Sequence, residues 1–93
     1  KEISVSFNKS KAMISMTLDL RGKRYEEAKE VLDKYIDDLV VVGLKQATII
    51  HGYGTGVIRE LVQNFLKNNK NIASYRYGGE NEGGFGVTVI TLK

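Results

Sequence analysis

The sequence predicts an α/β domain with the element order β-α-β-α-β-β, folded as a four-stranded mixed sheet with two helices. Two stretches, 24–42 and 56–69, repeat apolar residues every three or four positions, which is typical of amphipathic helices. Short segments rich in β-branched residues precede, separate and follow them. Because a helix joins each of the first three strands to the next, those strands should be parallel, with right-handed crossovers. The fourth strand follows the third directly and should be antiparallel.

The first strand is predicted over 13–20, where apolar and polar residues alternate and Asp19 faces away from the apolar side. Segment 1–15 is interpreted as a connector or edge strand from a larger protein. The chain starts with Lys1 rather than Met, which favours a fragment. The predicted domain is therefore 16–93.

The first helix, 24–42, carries its acidic residues opposite its apolar stripe, and Gly43 is a suitable end for it. The second strand, 46–51, is nearly all apolar, as expected for a parallel strand that is covered on both faces. The second helix, 56–69, ends in a polar run.

The third strand is predicted over 72–77, with Tyr75 and Tyr77 on one face, and the fourth over 87–92. Between them, residues 78–86 contain five glycines in nine positions, which predicts a hairpin with a long mobile loop. The pattern leaves open the strand order and whether the helices share one face of the sheet.

Composition excludes several classes of site. The 93 residues include no cysteine, so a disulfide and a thiolate metal site are impossible, and a reducing, cytoplasmic location is expected. The longest apolar run, Leu39 to Val42, is too short to span a bilayer, so no membrane partner is expected.

Charge is unevenly distributed along the chain. The net charge is +3, but residues 23–38 hold six acids and four bases, so the remaining residues carry a net +5. This division favours a polyanionic partner such as nucleic acid, bound by one face. Ordinary solvated surface is the alternative.

A glycine-rich turn between the second strand and the second helix is the strongest functional signal. Gly52, Gly54 and Gly56 alternate there, directly before the helix. A helix N-terminus and the N–H groups of such a turn attract anions, so the turn predicts a phosphate site. His51, the single histidine of the chain, stands at its start.

Parallel strands bring their carboxyl ends to one rim of a sheet. Asp19 and Arg21 follow the first strand, His51 the second, and Arg76 lies near the end of the third. If these strands are neighbours, an acid, a base, two arginines and the glycine turn converge.

Each of these residues also has a structural interpretation. His51 can be a buried structural histidine, Asp19 can cap a helix or turn, and Arg21 can pair with a nearby acid. The glycines can serve a tight turn alone, and the tyrosines can be sheet-face residues rather than a surface for base stacking.

A resident metal is not expected, because Asp19 is the one carboxylate placed firmly at the rim. Mg²⁺ or Mn²⁺ that binds together with the substrate phosphate remains open. Nucleophilic catalysis lacks a suitably placed serine, and Thr55 is interpreted as a helix cap or phosphate contact.

Three ordered motifs resemble the Smr (small MutS-related) domain family. Residues 18–22, LDLRG, are similar to its L-D-L-H-G signature, residues 51–56, HGYGTG, to its H-G-x-G-x-G signature, and residues 83–89 to its final glycine-rich hairpin. The resemblance covers about 16–93. The variant with arginine is most similar to the Smr domain at the C-terminus of bacterial MutS proteins of the second class.

The resemblance implies a two-layer fold and an endonuclease activity, usually nicking, on DNA and in some members on RNA. It also implies a parent protein that is a dimeric ATPase linked to recombination control or to stalled ribosomes, so that ATP serves only the parent and the ribosome is a further candidate partner. The family acid corresponds to Asp19 and its histidine loop to 51–56. Many members have histidine where this chain has Arg21, which removes one candidate proton carrier.

The first hypothesis is an endonuclease whose catalytic residues are Asp19, Arg21 and His51. Asp19 would orient a water, Arg21 or Mg²⁺, and His51 would move a proton. The residues expected to bind phosphate are Gly52, Tyr53, Gly54, Thr55, Gly56, Arg59 and Arg76. The alternative is a module that binds DNA, RNA or a ribosome without cutting, and a small-molecule phosphate enzyme is a distant third possibility.

Overall fold

The computed structural model describes residues 4–7 and 12–93, which form a hairpin followed by a four-stranded sheet with two helices. A short 3₁₀ turn, Gly84–Gly86, precedes the last strand. The elements are β1 (Ser4–Phe7), β2 (Ala12–Ser15), β3 (Thr17–Asp19), α1 (Tyr25–Val42), β4 (Gln46–Ile50), α2 (Val57–Lys67), β5 (Ile72–Tyr77) and β6 (Val87–Leu92).

The sheet has the order β3-β4-β6-β5. β3 is parallel to β4, with Leu18 opposite Ile49, and β6 is antiparallel to both of its neighbours. The predicted mixed sheet with an antiparallel last strand is therefore confirmed. The strand order shows that β6 lies between β4 and β5, so the three parallel carboxyl ends share one rim but are not all adjacent.

Both helices pack on the same face of the sheet, which makes the domain two-layered. Right-handed crossovers that progress across a sheet in one direction put their helices on one side, and β3, β4 and β5 do progress in this way. The fully buried core includes Leu32 and Ile36 from α1, Val62 from α2, and Ile49 and Ile90 from the sheet. Packing of these side chains supplies the main favourable term in folding.

The prediction that β4 is covered on both faces is wrong. Thr48 and Ile50 lie on the face without helices and are only half-buried. They form an apolar floor with Val87 and Val89 of β6, beside a cavity of about 480 Å³. The apolar run in the sequence reflects this floor rather than a second helical layer.

The predicted strand over 13–20 is interrupted. The chain bends at Met16. There the Ser15 hydroxyl donates to the Thr17 carbonyl (2.8 Å) and accepts from the Thr17 N–H (3.0 Å), while the Met16 carbonyl still accepts from the Thr48 N–H of β4 (2.8 Å). β2 instead pairs with β1, with Val5 opposite Ile14. Within the described residues, β1 thus joins a hairpin rather than the edge of the main sheet. The other parts of segment 1–15, namely 1–3 and 8–11, lie outside those residues.

The ends of the helices follow local signals in the sequence. Gly43 adopts a left-handed conformation (φ 81°), and its N–H donates to the carbonyls of Leu39 and Val40, which ends α1 as predicted. Asn68 donates from its side chain to the Asn64 carbonyl (3.0 Å) and ends α2 earlier than the predicted boundary. Neither helix of the described chain has the length and apolar character needed to cross a bilayer.

The loop at 78–86 is more extensively bonded than the mobile connection that the sequence suggested. The N–H of Gly78 donates to the Val87 carbonyl (2.9 Å), and that of Gly84 donates to the Gly79 carbonyl (3.0 Å). A Cβ at Gly78 would lie 3.0 Å from the Glu82 carbonyl oxygen, so glycine is what allows the loop to fold back on itself. The glycines here serve close packing and not only flexibility.

Candidate functional site

Asp19 and Arg21 form a bidentate ion pair at the carboxyl end of β3. Nε of Arg21 donates to Oδ1 of Asp19 (3.0 Å), Nη2 donates to Oδ2 (2.8 Å), and the Arg21 backbone N–H also reaches Oδ1 (3.0 Å). These hydrogen bonds hold the pKa of the Asp19 carboxyl below its ordinary value, and the charges of Arg21 and Lys23 add to the effect. Asp19 is therefore ionised at neutral pH.

The Asp19–Arg21 pair leaves part of the guanidinium available. Arg21 has five N–H donors, and the two bonds to Asp19 leave the others free to bind a further anion. The Arg21 side chain also runs across Gly52, where a Cβ would lie 3.1 Å from Cγ of Arg21. Glycine at position 52 thus brings the arginine against the turn.

The glycine turn presents unsatisfied donors. In the part of the chain that the structure describes, the backbone N–H groups of Gly54, Thr55 and Gly56 have no acceptor. They stand beside the first turn of α2, whose own N–H groups and dipole favour negative charge. The turn, Arg21 and Arg59 line a cavity of about 290 Å³. This cavity suits a phosphate group.

Arg59 supplies the second cation of this cavity. It lies on the first turn of α2, and its Nη2 is 3.1 Å from where a Cβ on Gly56 would be. Among the described residues, no carboxylate forms an ion pair with it. Arg59 can therefore bind a phosphate without first giving up a partner.

Arg76 does not join this cavity, although the sequence analysis grouped it there. It lies opposite Val89 on the helix-free face of the sheet, and its guanidinium binds Glu82 through Nη1 (2.7 Å) and Nη2 (3.2 Å). These bonds, with one from the Gly79 N–H, lower the pKa of Glu82 to about 2. In the structure, Arg76 fastens the loop at 78–86.

The turn is anchored to the loop before β6. The N–H groups of His51 and Gly52 both donate to the Gly86 carbonyl (3.0 and 2.8 Å). The Tyr53 hydroxyl donates to the Gly83 carbonyl (3.0 Å), and a Cβ on Gly86 would lie 2.8 Å from Cε2 of the Tyr53 ring. Tyr53, expected to contact phosphate, uses its hydroxyl to join the two loops.

His51 is buried, with only 5% of its surface exposed, and both ring nitrogens have partners. Nε2 lies 2.8 Å from Oγ1 of Thr88, which is itself fully buried, and Nδ1 lies 3.2 Å from the Gly52 carbonyl oxygen. The Gln63 side-chain amide donates to the same Thr88 oxygen (2.9 Å). A polar chain thus runs from α2 along the helix-covered face of the sheet to the glycine turn.

The direction of this chain assigns the histidine tautomer. Thr88 accepts from Gln63, so its single proton is available for Nε2 of His51, and Nδ1–H then donates to the Gly52 carbonyl. In the reverse arrangement a bare Nδ1 would face a carbonyl oxygen. Burial lowers the pKa of His51, and the charge of Arg59 lowers it further, so the ring is neutral at pH 7.

Thr88 and Gln63 are not among the site residues predicted from the sequence. Thr88 stands between Val87 and Val89, but its side chain faces the helices together with Ile90, so it places a hydroxyl inside an apolar layer. A polar residue on the inward face of a core strand is the signal that could have identified it.

A resident divalent metal ion does not fit the rim. Within the described ranges, no three His, Asp or Glu side chains converge. Of the residues that the structure describes, Asp19 is the one carboxylate beside this cavity, and the Arg21 guanidinium that both of its oxygens bind disfavours a second cation there.

Comparison with known proteins identifies the family of this chain. The family model described as "Smr domain" matches residues 18–93. The "Endonuclease MutS2" of Halothermothrix orenii is 55% identical over 85 residues, which cover 91% of this chain and 11% of that protein. The "Putative endonuclease MutS2" of Bacillus subtilis is 51% identical over 80 residues, covering 86% of this chain and 10% of that protein.

Solved structures give the same result. The Smr domain of Thermus thermophilus MutS2 superposes with a TM-score of 0.80 at 34% identity, covering 83% of this chain and 96% of that one. YdaL, a stand-alone small MutS-related protein from Escherichia coli, shares the fold with a TM-score of 0.80 at 24% identity, covering 84% and 64%.

The chain spans about a tenth of the length of the curated relatives it matches, which are named endonucleases. The match over residues 18–93 extends across the Asp19–Arg21 pair, the glycine turn and the final hairpin. With a family model, relatives above 50% identity and a superposable crystal structure in agreement, this chain belongs to the Smr domain family.

Proposed function

We propose that this domain is an endonuclease that nicks DNA by hydrolysing a phosphodiester bond, within a longer MutS-type protein. The relatives named endonuclease support nuclease activity at the level of the family. Three further points stay predictions from the family resemblance: RNA as a substrate, binding to a ribosome, and a longer protein that is a homodimeric ATPase.

The observation that carries the proposal is the cavity between Arg21 and Arg59, lined by the glycine turn with its unpaired N–H groups. A scissile phosphate placed here would meet two guanidinium groups and several backbone donors. Such donors stabilise the charge that develops in the transition state, and each can be worth about 3–4 kcal/mol.

Asp19 is the proposed positioner of the attacking water. Its carboxylate is ionised and fixed by Arg21, so it can accept a hydrogen bond from water beside the phosphate that the same arginine binds. Water then adds to phosphorus as the bond from phosphorus to a sugar oxygen breaks, and the proton that the water gives up passes through solvent to the leaving oxygen. Arg21 offsets negative charge on the phosphate oxygens during this exchange.

His51 is proposed to shape the turn rather than to exchange a proton with water. To take a proton through Nδ1, the ring would need its own proton on Nε2, the opposite of the tautomer that its hydrogen bonds favour. The hydrogen bond from Nδ1–H to the Gly52 carbonyl orients the peptide that leads into Tyr53 and polarises its N–H. Transfer of a proton by His51 stays a prediction from the sequence.

The test is nicking of supercoiled plasmid by the chain and by Asp19→Asn. The matched control is Asp38→Asn, which removes another exposed, ion-paired carboxylate, on α1 next to Lys34. We expect Asp19→Asn to lose most of the activity and the control to retain it, with both proteins folded by circular dichroism. Equal cutting by all three would refute the proposal. A lane with EDTA tests whether Mg²⁺ or Mn²⁺ enters with the substrate.

A binding module without cutting is the second candidate. It is favoured by the hydrogen bonds that the candidate catalytic side chains already make within the protein. Both Asp19 oxygens bind Arg21, and both His51 nitrogens have partners. On this alternative the unsubstituted chain does not nick DNA, and the Asp19→Asn variant binds DNA as tightly as the unsubstituted chain. Affinity measured by fluorescence anisotropy beside the plasmid assay separates the two functions.

A further inference from the structure

An exposed aromatic cluster borders the glycine turn. Phe85 is 64% exposed, Tyr53 61% and Tyr77 38%. The rings of Tyr77 and Phe85 meet edge-to-face, with centroids 5.1 Å apart and planes at 88°. Large aromatic side chains grouped in water at one edge of a small domain mark a surface that binds something flat and apolar.

The backbone beneath Phe85 is already ordered. It lies in the 3₁₀ turn before β6, where the Gly86 N–H donates to the Gly83 carbonyl (3.2 Å) and the Gly78 N–H to the Gly84 carbonyl (3.1 Å). The Tyr53 hydroxyl is tied to the same Gly83 carbonyl. A ligand that meets this cluster therefore has little loop entropy to remove.

The cluster is continuous with the phosphate cavity. Tyr77 lines a second cavity of about 360 Å³ together with Thr55, Gly56 and Arg59, and these last three residues also line the first cavity. The two cavities thus share a wall that carries the guanidinium of Arg59, which forms no ion pair within residues 4–7 and 12–93. A cation for phosphate and aromatic faces for a base stand side by side.

We propose that this rim binds an unpaired nucleotide, with its phosphate between Arg59 and the glycine turn and its base stacked on the Phe85–Tyr77 pair. The inference rests on the proposed function for the position of the phosphate, and it adds the substrate class: single-stranded or locally opened nucleic acid. In an intact duplex both faces of a base are covered by its neighbours, so the aromatic pair would have nothing to stack on. The positive charge of the cavity does not by itself distinguish a nucleotide from an acidic peptide. The aromatic rings favour the nucleotide, because a base offers a π-face that a carboxylate lacks.

The test compares three labelled ligands by fluorescence anisotropy at one salt concentration: a short DNA single strand, the same strand with abasic sites throughout, and the blunt duplex. The abasic strand keeps the phosphates and removes the bases. We expect the chain to bind the normal strand on the order of tenfold more tightly than the abasic strand.

Phe85→Leu tests base stacking directly, because it removes the π-face but keeps an apolar side chain. We expect it to weaken binding of the normal strand on the order of tenfold and to leave binding of the abasic strand and the duplex unchanged. Tyr75→Leu is the control: it removes an exposed aromatic ring from the same face of β5 as Tyr77, two residues away and with nearly the same exposure as Tyr77 (36% against 38%), and it lies outside both cavities.

The outcomes are decisive in either direction. Equal affinity for the normal and abasic strands, or a loss in Phe85→Leu that is as large for the duplex as for the single strand, would overturn the inference. Nicking that depends on Asp19 without any preference for bases would overturn only this inference. A preference for bases without nicking would overturn only the proposed hydrolysis.

Discussion

The Nε2 atom of His51 lies 2.8 Å from the Oγ1 atom of Thr88, 37 residues further along the chain. The bond joins the end of β4 to the start of the neighbouring strand β6, in the interior of the domain. This bond holds the start of the glycine turn against the core, and the hydrogen bonds continue from Thr88 to Gln63. The shape of the candidate phosphate site depends on residues that do not touch it.

Thr88→Val should remove this chain while keeping the shape of the side chain. Gln63 and Nε2 of His51 would lose their partner inside the protein, and we expect the free energy of unfolding to fall by about 1–3 kcal/mol. Urea denaturation measures that loss, and ¹⁵N chemical shifts of the His51 ring should move from the Nδ1–H tautomer towards a mixture. Thr91→Val, on the opposite face of the same strand, is the control. An unchanged tautomer in Thr88→Val would show that Thr88 does not direct the ring.

The stability of the domain should depend on pH through His51. Its pKa is lower in the folded chain than in the unfolded chain, so the unfolded state binds the proton more readily. The stabilisation is therefore complete above the unfolded pKa, near 6.5, and declines as the pH falls from there towards the folded pKa. Unfolding free energies measured between pH 7 and pH 5 should decrease in the parent and change much less in His51→Gln. Parallel curves would contradict this assignment.

Arg21→Lys should separate charge from geometry. Lysine keeps the positive charge but cannot hold both Asp19 oxygens, so the pKa of Asp19 should rise towards its ordinary value and nicking should fall by at least about tenfold. NMR titration of the Asp19 carboxyl and the plasmid assay check the two effects. Arg24→Lys, at an exposed position three residues on, should change neither. Full nicking activity together with a raised pKa of Asp19 would mean that the bidentate contact between Arg21 and Asp19 is not needed for catalysis.

Arg59 and Arg76 should differ in their contribution to binding, although the sequence placed both at the phosphate. Arg59 has a free guanidinium at the cavity, so Arg59→Gln should weaken DNA binding and reduce the salt slope by about one. Arg76 is held by Glu82, so Arg76→Gln should leave the slope unchanged and loosen the loop at 78–86. Anisotropy titrations across a salt series give the slopes. Equal slopes for the two variants would contradict the assignment.

Most of the fold follows from the sequence because its signals are local. The left-handed conformation at Gly43, the stripe of α1 and the alternation in β6 each depend on residues within a few positions, and the predicted boundaries agree closely with the structure. The bend at Met16 is also local, since the Ser15 hydroxyl binds the backbone of Thr17 there, but the alternation of apolar and polar residues over 13–20 continues across it and gives no sign of it.

The sequence by itself determined the element order, the parallel first pair of strands, the Asp19 and His51–Gly56 motifs and the family. These depend on periodicity, turn chemistry and short motifs, which a single chain displays in order. Only the tertiary structure decided that β6 lies in the centre of the sheet and that Arg76 faces away from the cavity. It also decided that His51 bonds to Thr88, 37 residues further along the chain, and that Thr88 bonds in turn to Gln63, 25 residues before it. The reason is physical: partners so far apart along the chain meet only after the core has packed, and local patterns carry no record of which buried donor will face which acceptor.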